Sequence, residues 1–448
     1  MKNSSLDMTV GNPTALILKF SMPLFVGNLL QQCYNLVDSI VVGKFIGKEA
    51  LAAVGSSGII VFLLVSLFSG VAMGATILIS QFFGAKEHGK IKVVIDTMFS
   101  AMLVGSLIVT LGGIALSAPI LRLMQTPEGE IFQMSTTYLY TLFAGVVASF
   151  GYNINAGILQ GVGDSRTTLL FLAIATVVNI ILDLLFVVVF DMGVFGVALA
   201  TVIAQGVSFL FGVFYINRVH SLFRISFRKL SPDVHMLGKA ISIGLPAGFQ
   251  NALFSLGAIV LQRLVYKYGA SFMAAYTAVN KIDTFVFLPV VSFSSAITTY
   301  VGQNVGAKNL DRVVSGVKQT LLLGLGVSVV LGGMVLLWGR FLLSMFTDDN
   351  MVIEYGMEFM YRLMPIYWLL ATLMVTNSAI RGAGESVLPM VFSIMSMLVV
   401  RIPTAYILDY FFGQNEIFWC YGIGWVVGNS LALPYFFSGR WKKKSLLE

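Results

Sequence analysis

The sequence predicts an all-α integral membrane protein, with twelve transmembrane helices arranged as two parallel-repeat six-helix bundles. Three observations predict it: sparse charge, apolar runs of bilayer length, and a set of motifs repeated at one offset. Only 11% of the 448 residues are charged and 57% are hydrophobic, whereas soluble domains carry roughly a quarter charged residues. Too few polar side chains remain to cover an aqueous surface.

The charges fall in short clusters between apolar runs of about 20 residues or more, the length of a bilayer-spanning helix. Twelve runs are expected, near 15–42, 53–80, 93–116, 133–156, 168–190, 193–216, 238–266, 272–302, 314–338, 355–380, 387–410 and 416–438. The first is too long for a signal-peptide core and has no small-residue cleavage site behind it, so it is expected to be retained. Cys33 and Cys420 both lie inside runs, so they are expected to be packing thiols, without a disulfide framework or metal-ligand spacing.

A net charge of +7 could suggest nucleic acid, but the basic residues follow membrane topology. With the N-terminus inside, 19 Lys/Arg fall on the inner side and six on the outer, with Lys281, Arg362 and Arg401 inside helices. The positive-inside rule then places both termini in the cytoplasm. The tail Arg440-Trp-Lys-Lys-Lys reads as an anchor to anionic inner-leaflet lipid.

The repeat is read from three motif pairs. Gln81-Phe-Phe-Gly84-Ala85-Lys86 recurs as Gln303-Asn-Val-Gly306-Ala307-Lys308, an offset of 222. Gly161-Val-Gly163-Asp164-Ser165 recurs as Gly382-Ala-Gly384-Glu385-Ser386 at 221, and Met22-Pro23 as Leu245-Pro246 at 223. Six crossings per half make the halves parallel rather than inverted. The expected division is an N-terminal lobe, 1–222, carrying a cation site, and a C-terminal lobe, 223–448.

Ionisable residues inside a membrane are expensive, so function is sought there first. Helical spacing puts Asn28, Gln31, Asn35 and Asp38 on one face of the first run, with Tyr34 beside them. Thr176, Asn179 and Asp183 form a stripe on the fifth run, and Thr201, Gln205 and Ser208 on the sixth. At about 1.5 Å per residue, Asp38, Asp183 and Thr201 all lie within about 12 Å of the outer helix ends. Two carboxylates, a carboxamide and a hydroxyl could therefore meet. Such an oxygen-rich set suits Na⁺ or H⁺. An interhelical hydrogen-bond network that only holds the bundle is the plainer alternative.

In the second half the positions matching Asp38 and Asp183 are Leu261 and Ala405. It carries instead Lys281, Asp283 and Arg401, with Arg401 at the position matching Asn179. A mutually compensating charge network is the simplest reading, and a substrate-lining or proton-relay role the other. Gly70 and Gly74 form a small-xxx-small pair, read as close helix packing. No GxxxxGK[ST], HExxH or GxSxG motif occurs, so an enzyme is not expected and transport energy is expected from a gradient. No cofactor is expected beyond a coupling Na⁺ or H⁺.

The chain resembles the multidrug and toxic compound extrusion (MATE) family over nearly its whole length. Met22-Pro23, Tyr34-Asn35-Leu36-Val37-Asp38, Gln81 to Lys86, Gln160-Gly161-Val-Gly163-Asp164, Asn179-Ile-Ile-Leu-Asp183 and Gly196-Val-Ala-Leu-Ala-Thr201 carry the resemblance. It implies a two-lobed antiporter of the inner membrane that expels amphipathic, mostly cationic drugs or dyes by alternating access. The family's N-lobe ion site would map onto Asp38, Asn179, Asp183 and Thr201. Acids that some branches carry in the second lobe are replaced near Phe254 and Leu370. Expected partners are the drugs and membrane lipids, with a monomer as the working unit and no nucleic acid. The rival readings are a flippase or exporter of a lipid-linked or anionic precursor, and a receptor on a vestigial transporter fold.

Overall fold

The computed structural model describes residues 5–219 and 223–443. Lys2, His220 and Lys444 lie outside the described residues, as do Asn3 and Ser4 of an Asn3-Ser-Ser match to a glycosylation sequon that the cytoplasmic placement makes a chance match. No strand occurs among the described residues. The helices are α1 (Pro13–Val41), α2 (Lys48–Gly84), α3 (His88–Leu123), α4 (Glu130–Ala144), α5 (Val146–Gly161), α6 (Ser165–Asp183), α7 (Gly193–Val219) and α8 (Val234–Tyr266). They continue with α9 (Ala270–Gly306), α10 (Leu310–Ser344), α11 (Asn350–Leu363), α12 (Tyr367–Gly382), α13 (Val387–Ile394), α14 (Arg401–Phe412) and α15 (Trp419–Phe437).

Among the described residues eleven helical stretches are long and apolar enough to cross a membrane, and α4 with α5 makes a twelfth, bent by 53°. The all-α, twelve-span expectation is met. The bend falls at Gly145, where a β-carbon would collide with the side chain of Val202 on α7. Its counterpart between α11 and α12 is a 3₁₀ turn, Met364–Ile366, that holds Pro365; proline removes a backbone donor there.

The chain forms two compact units that alternate along the sequence: Met1–Asp7 with Val26–Gly248, and Met8–Phe25 with Phe249–Glu448. The passages between them fall inside α1 and α8, shortly after Pro23 and Pro246.

In the first unit α2 packs against α5 and α4, and α6 against α7. Glycine lets backbones approach: a β-carbon on Gly70 would lie 2.5 Å from the Gly244 carbonyl, and one on Gly248 2.8 Å from that of Ser66. The small-residue pair of α2 is therefore a seam with the first part of α8. Asp164 starts α6 by accepting the backbone N–H and the hydroxyl of Thr167 at 3.0 and 2.7 Å, as an N-cap should. Val41, Tyr138, Val187 and Val197 share one apolar cluster.

In the second unit α9 packs against α10, α11 and α12, and α12 against α15. Phe359 and Phe418 stack at 3.7 Å, with Tyr276 beside them at 5.8 and 6.3 Å. Met8 is fully buried in this unit, its N–H donated to Gln303 Oε1 at 2.8 Å and its carbonyl accepting from Asn304 and Arg312.

The repeated motifs now have a structural reason. Lys86 and Lys308 both take a left-handed backbone, φ 60° and 58°, where α2 and α9 end; this is the αL helix stop, usually given to glycine. Gly161 and Gly382 face α2 and α9 respectively, where a β-carbon would lie 3.0 Å from the Thr76 carbonyl and 2.5 Å from that of Thr298. The duplicated signature thus encodes two turns and two close helix crossings.

Three expectations change. Cys33 is exposed while Cys420 is buried, because Cys33 sits on an outward face of α1. Arg381, one of the 19 cations expected on the inner side, is buried in the last turn of α12 and donates to Gln250 Oε1 at 2.6 Å. Arg362, whose place near an outer helix end predicts a snorkelling cation, is instead paired: it donates to Glu416 at 2.6 Å and to Glu358 at 3.3 Å.

Candidate functional site

The first unit carries a facing pair of carboxylates. Asp38 lies on α1, one turn before that helix gives way to the π-helical segment Val42–Ile46. Asp183 is the last residue of α6, directly before a second π-helical segment, Leu184–Val189. Such widened turns cluster at functional sites because they turn a side chain out of helical register. The two carboxyl groups are direct neighbours, and Asn179, one turn back on α6, adjoins Asp183.

Hydrogen-bond accounting isolates this group. Oδ1 of Asp38, both oxygens of Asp183 and both amide atoms of Asn179 are buried and make no hydrogen bond of standard geometry within the protein. Asp183 is fully buried and Asn179 nearly so. Buried polar atoms ordinarily have partners, and each exception needs a reason. Two ionised carboxylates in contact away from water repel, so the arrangement favours a cation or a proton between them.

Thr201 of α7 completes the set through Tyr34, whose hydroxyl lies 3.2 Å from the Thr201 hydroxyl. Tyr34 in turn is within electrostatic reach of both carboxylates. Tyr138 of α4 stands in the same relation to Asp38 and Asp183. It escaped the sequence reading because α4 carries no intramembrane acid. Its signal, a tyrosine at 7% exposure, emerges only from packing.

Gln31, Tyr34, Thr201 and Gln205 also line a crevice of about 30 Å³. That is room for a small ion or a water or two, each water needing roughly 10–15 Å³ of such space, not for a drug-sized molecule. Gln205 accepts a hydrogen bond from Ser149, and Gln31 donates to Asn35 at 3.4 Å. Asn28 lies earlier on the same α1 face. Thr176 of α6 lines the crevice as well.

The second unit separates the three charges expected to compensate one another. Asp283 of α9 faces the Tyr367 hydroxyl and the Arg401 guanidinium, and Arg401 Cζ sits 3.3 Å above the ring of Tyr421. Lys281 instead lines a groove with α10. Two residues along a helix turn through about 200°, so one network could not hold both. That rule was available from the sequence. No group of three or more His, Cys, Asp or Glu suited to a metal occurs among the described residues.

Membrane-spanning helices, a duplicated scaffold and orphaned intramembrane acids define a multi-pass membrane transporter, not an enzyme. Comparison with known proteins gives the family: the chain belongs to the MatE family, which it matches over residues 23–185 and 246–407. It is 30% identical over 441 residues to probable multidrug resistance protein YpnP of Bacillus subtilis strain 168, covering 98% of both chains. To YoeA of the same organism, also named a probable multidrug resistance protein, it is 31% identical over 440 residues, covering 95% of this chain and 94% of that one. The solved structure described as the outward-facing conformation of a multidrug resistance MATE family transporter of the MOP superfamily matches with a TM-score of 0.91 at 22% identity, covering 99% of each chain. A MATE in complex with MaL6 matches with the same TM-score and identity, covering 99% of this chain and 100% of that one.

Proposed function

We propose that the chain is a multidrug efflux antiporter that expels amphipathic, mostly cationic compounds in exchange for Na⁺ or H⁺. The observation that carries the reading is the Asp38–Asp183 contact, with five buried polar atoms of Asp38, Asn179 and Asp183 left without hydrogen bonds. Thr201, reached through Tyr34, supplies a further oxygen. The names of the two Bacillus relatives support drugs as the cargo. On this reading residues 1–222 form the coupling lobe, 223–448 its partner, and the protein works as a monomer in the cytoplasmic membrane with both termini inside.

Cation entry neutralises the carboxylates and stabilises whichever state keeps them together. Drug binding favours the other state, so each ligand lowers the affinity for the other; that reciprocity is what exchange requires. Export of an anionic or lipid-linked precursor is the second reading, favoured by the guanidinium of Arg401, which lies over the Tyr421 ring.

The test is dye transport into everted vesicles or proteoliposomes under a Na⁺ gradient and a pH gradient imposed separately. Dissipation of just one by dye identifies the coupling ion. Gradient-driven dye efflux that survives Asp38→Asn would sink the coupling assignment, and movement of an anionic lipid analogue without dye transport would favour the precursor reading.

A further inference from the structure

Asp38 and Asp183 bring two carboxylates into the spanning helices of the first unit, and neither forms an ion pair among the described residues. The charged group that each faces is the other. One monovalent cation bound between them leaves a negative charge uncompensated, and a lone charge inside a membrane is costly.

A space for a second cation adjoins them. Tyr34 and Thr201 line the crevice of about 30 Å³, and Tyr34 is also within electrostatic reach of both carboxylates. Gln31 and Thr176, two further walls of the crevice, stand seven residues before Asp38 and Asp183 on α1 and α6. Seven residues are two turns, so each pair shares a helix face, about 10 Å apart along the axis. The first and fifth spans run the same way, which puts both walls on one side of the acid pair. The sixth span, α7, runs the opposite way, and its crevice residue Gln205 comes four residues after Thr201, on that same side.

The side-chain protons at this place are directed elsewhere. Thr176, only 6% exposed, donates its hydroxyl proton to the Leu172 carbonyl at 2.9 Å, and Gln31 donates an amide N–H to Asn35 at 3.4 Å. Neither Thr176 Oγ1 nor Gln31 Oε1 accepts a hydrogen bond among the described residues. Gln205 accepts from Ser149 and is not counted as a ligand. The remaining lone pairs are hard, uncharged oxygens, the donors that suit a small metal cation, and the acid pair adds a negative potential. A proton finds no base there, and an organic cation does not fit. A bare alkali ion with one water does, at roughly 10–15 Å³ for the water.

We propose that the crevice is a second Na⁺ site, held by Gln31 Oε1, Thr176 Oγ1 and the hydroxyl oxygens of Tyr34 and Thr201, so that the first unit carries two Na⁺ for its two carboxylates. The proposal rests on the cation-coupled reading and narrows its ion to Na⁺. Tyr34 and Thr201, shared by both places, mark where an ion passes from one to the other.

Counting bound ions tests it. Equilibrium binding of radioactive Na⁺ to the purified full-length protein should saturate at two ions per chain. Thr176→Val keeps the shape and removes one ligand, and should bind one ion. The affinity for that ion should change by no more than about twofold, as for well-separated positions, and its retention shows an intact fold. Thr176→Ser should still bind two. A single ion in the parent that survives Thr176→Val and is lost in Asp38→Asn overturns the second site while the coupling reading stands. Two ions retained by Thr176→Val overturn it too, as does a parent that binds no Na⁺ and drives dye efflux with a pH gradient. Two ions in a parent, one in Thr176→Val, and no dye movement under either gradient would support the site and end the antiport reading.

Discussion

The hydroxyls of Tyr34 and Thr201 meet at 3.2 Å, joining α1 to α7 beside two carboxylates of which Oδ1 of Asp38 and both oxygens of Asp183 are buried without a hydrogen bond of standard geometry. The contact sets the first prediction. Tyr34→Phe or Thr201→Ala should weaken cation binding without unfolding the bundle. Interhelical hydrogen bonds in membranes contribute about 0.6–2 kcal/mol, so the apparent affinity, read from cation-dependent thermal stabilisation, should fall by about 3- to 30-fold.

Removing one carboxylate should separate stability from activity. Asp183→Asn takes a charge out of a fully buried contact, relieving repulsion while keeping shape. Its melting temperature in cation-free buffer should rise above that of the parent, and its coupled dye efflux should fall to background. Stability lost together with activity would mark Asp183 as part of a packing network.

Backbone crossings predict a second pattern. Gly382→Ala places a β-carbon 2.5 Å from the Thr298 carbonyl, and overpacking of this kind costs about 1–3 kcal/mol. Gly89→Ala, in α3 with open space around it, should be neutral or stabilising by up to about 1 kcal/mol. Thermal unfolding in detergent of the two variants side by side reads the difference.

Charge pairs differ by burial. The Arg362–Glu416 bond is short, at 2.6 Å, but Glu416 is 35% exposed, so Glu416→Gln should cost no more than about 1 kcal/mol. Gln250→Ala takes an acceptor from the buried guanidinium of Arg381 and should cost about 1.5–3 kcal/mol. The order of the two melting temperatures checks the ranking.

Much of the scaffold was legible because its signals are local. Bilayer-length runs give spans, and the Gln81-to-Lys86 and Gln303-to-Lys308 copies give duplication before any coordinate is known. The juxtaposition of Asp38, Asn179 and Asp183 was legible for a related reason: steps of three and four fix a helix face, and depth along the axis follows from the rise per residue. What α1, α6 and α7 bring to that face could be listed, but not what α4 adds. Tyr138 reaches the acids through a packing angle that no periodicity encodes. The π-helical turn after Asp183 was equally hidden, since its sequence, Leu-Leu-Phe-Val-Val-Val, reads as ordinary spanning helix. Lys281 and Asp283 show the opposite failing, because their two-residue spacing already placed them on different faces.

The glycine seam between α2 and the first part of α8 has a bearing on how this protein can change over generations. At Gly70, Gly74, Gly244 and Gly248 the space for a β-carbon is taken by backbone of the opposite helix. No side-chain adjustment can absorb a substitution there, since main chain cannot repack. Under drug selection, tolerated variants should therefore accumulate on side-chain-lined surfaces, and the seam should persist as a fixed line across diverging descendants of this sequence.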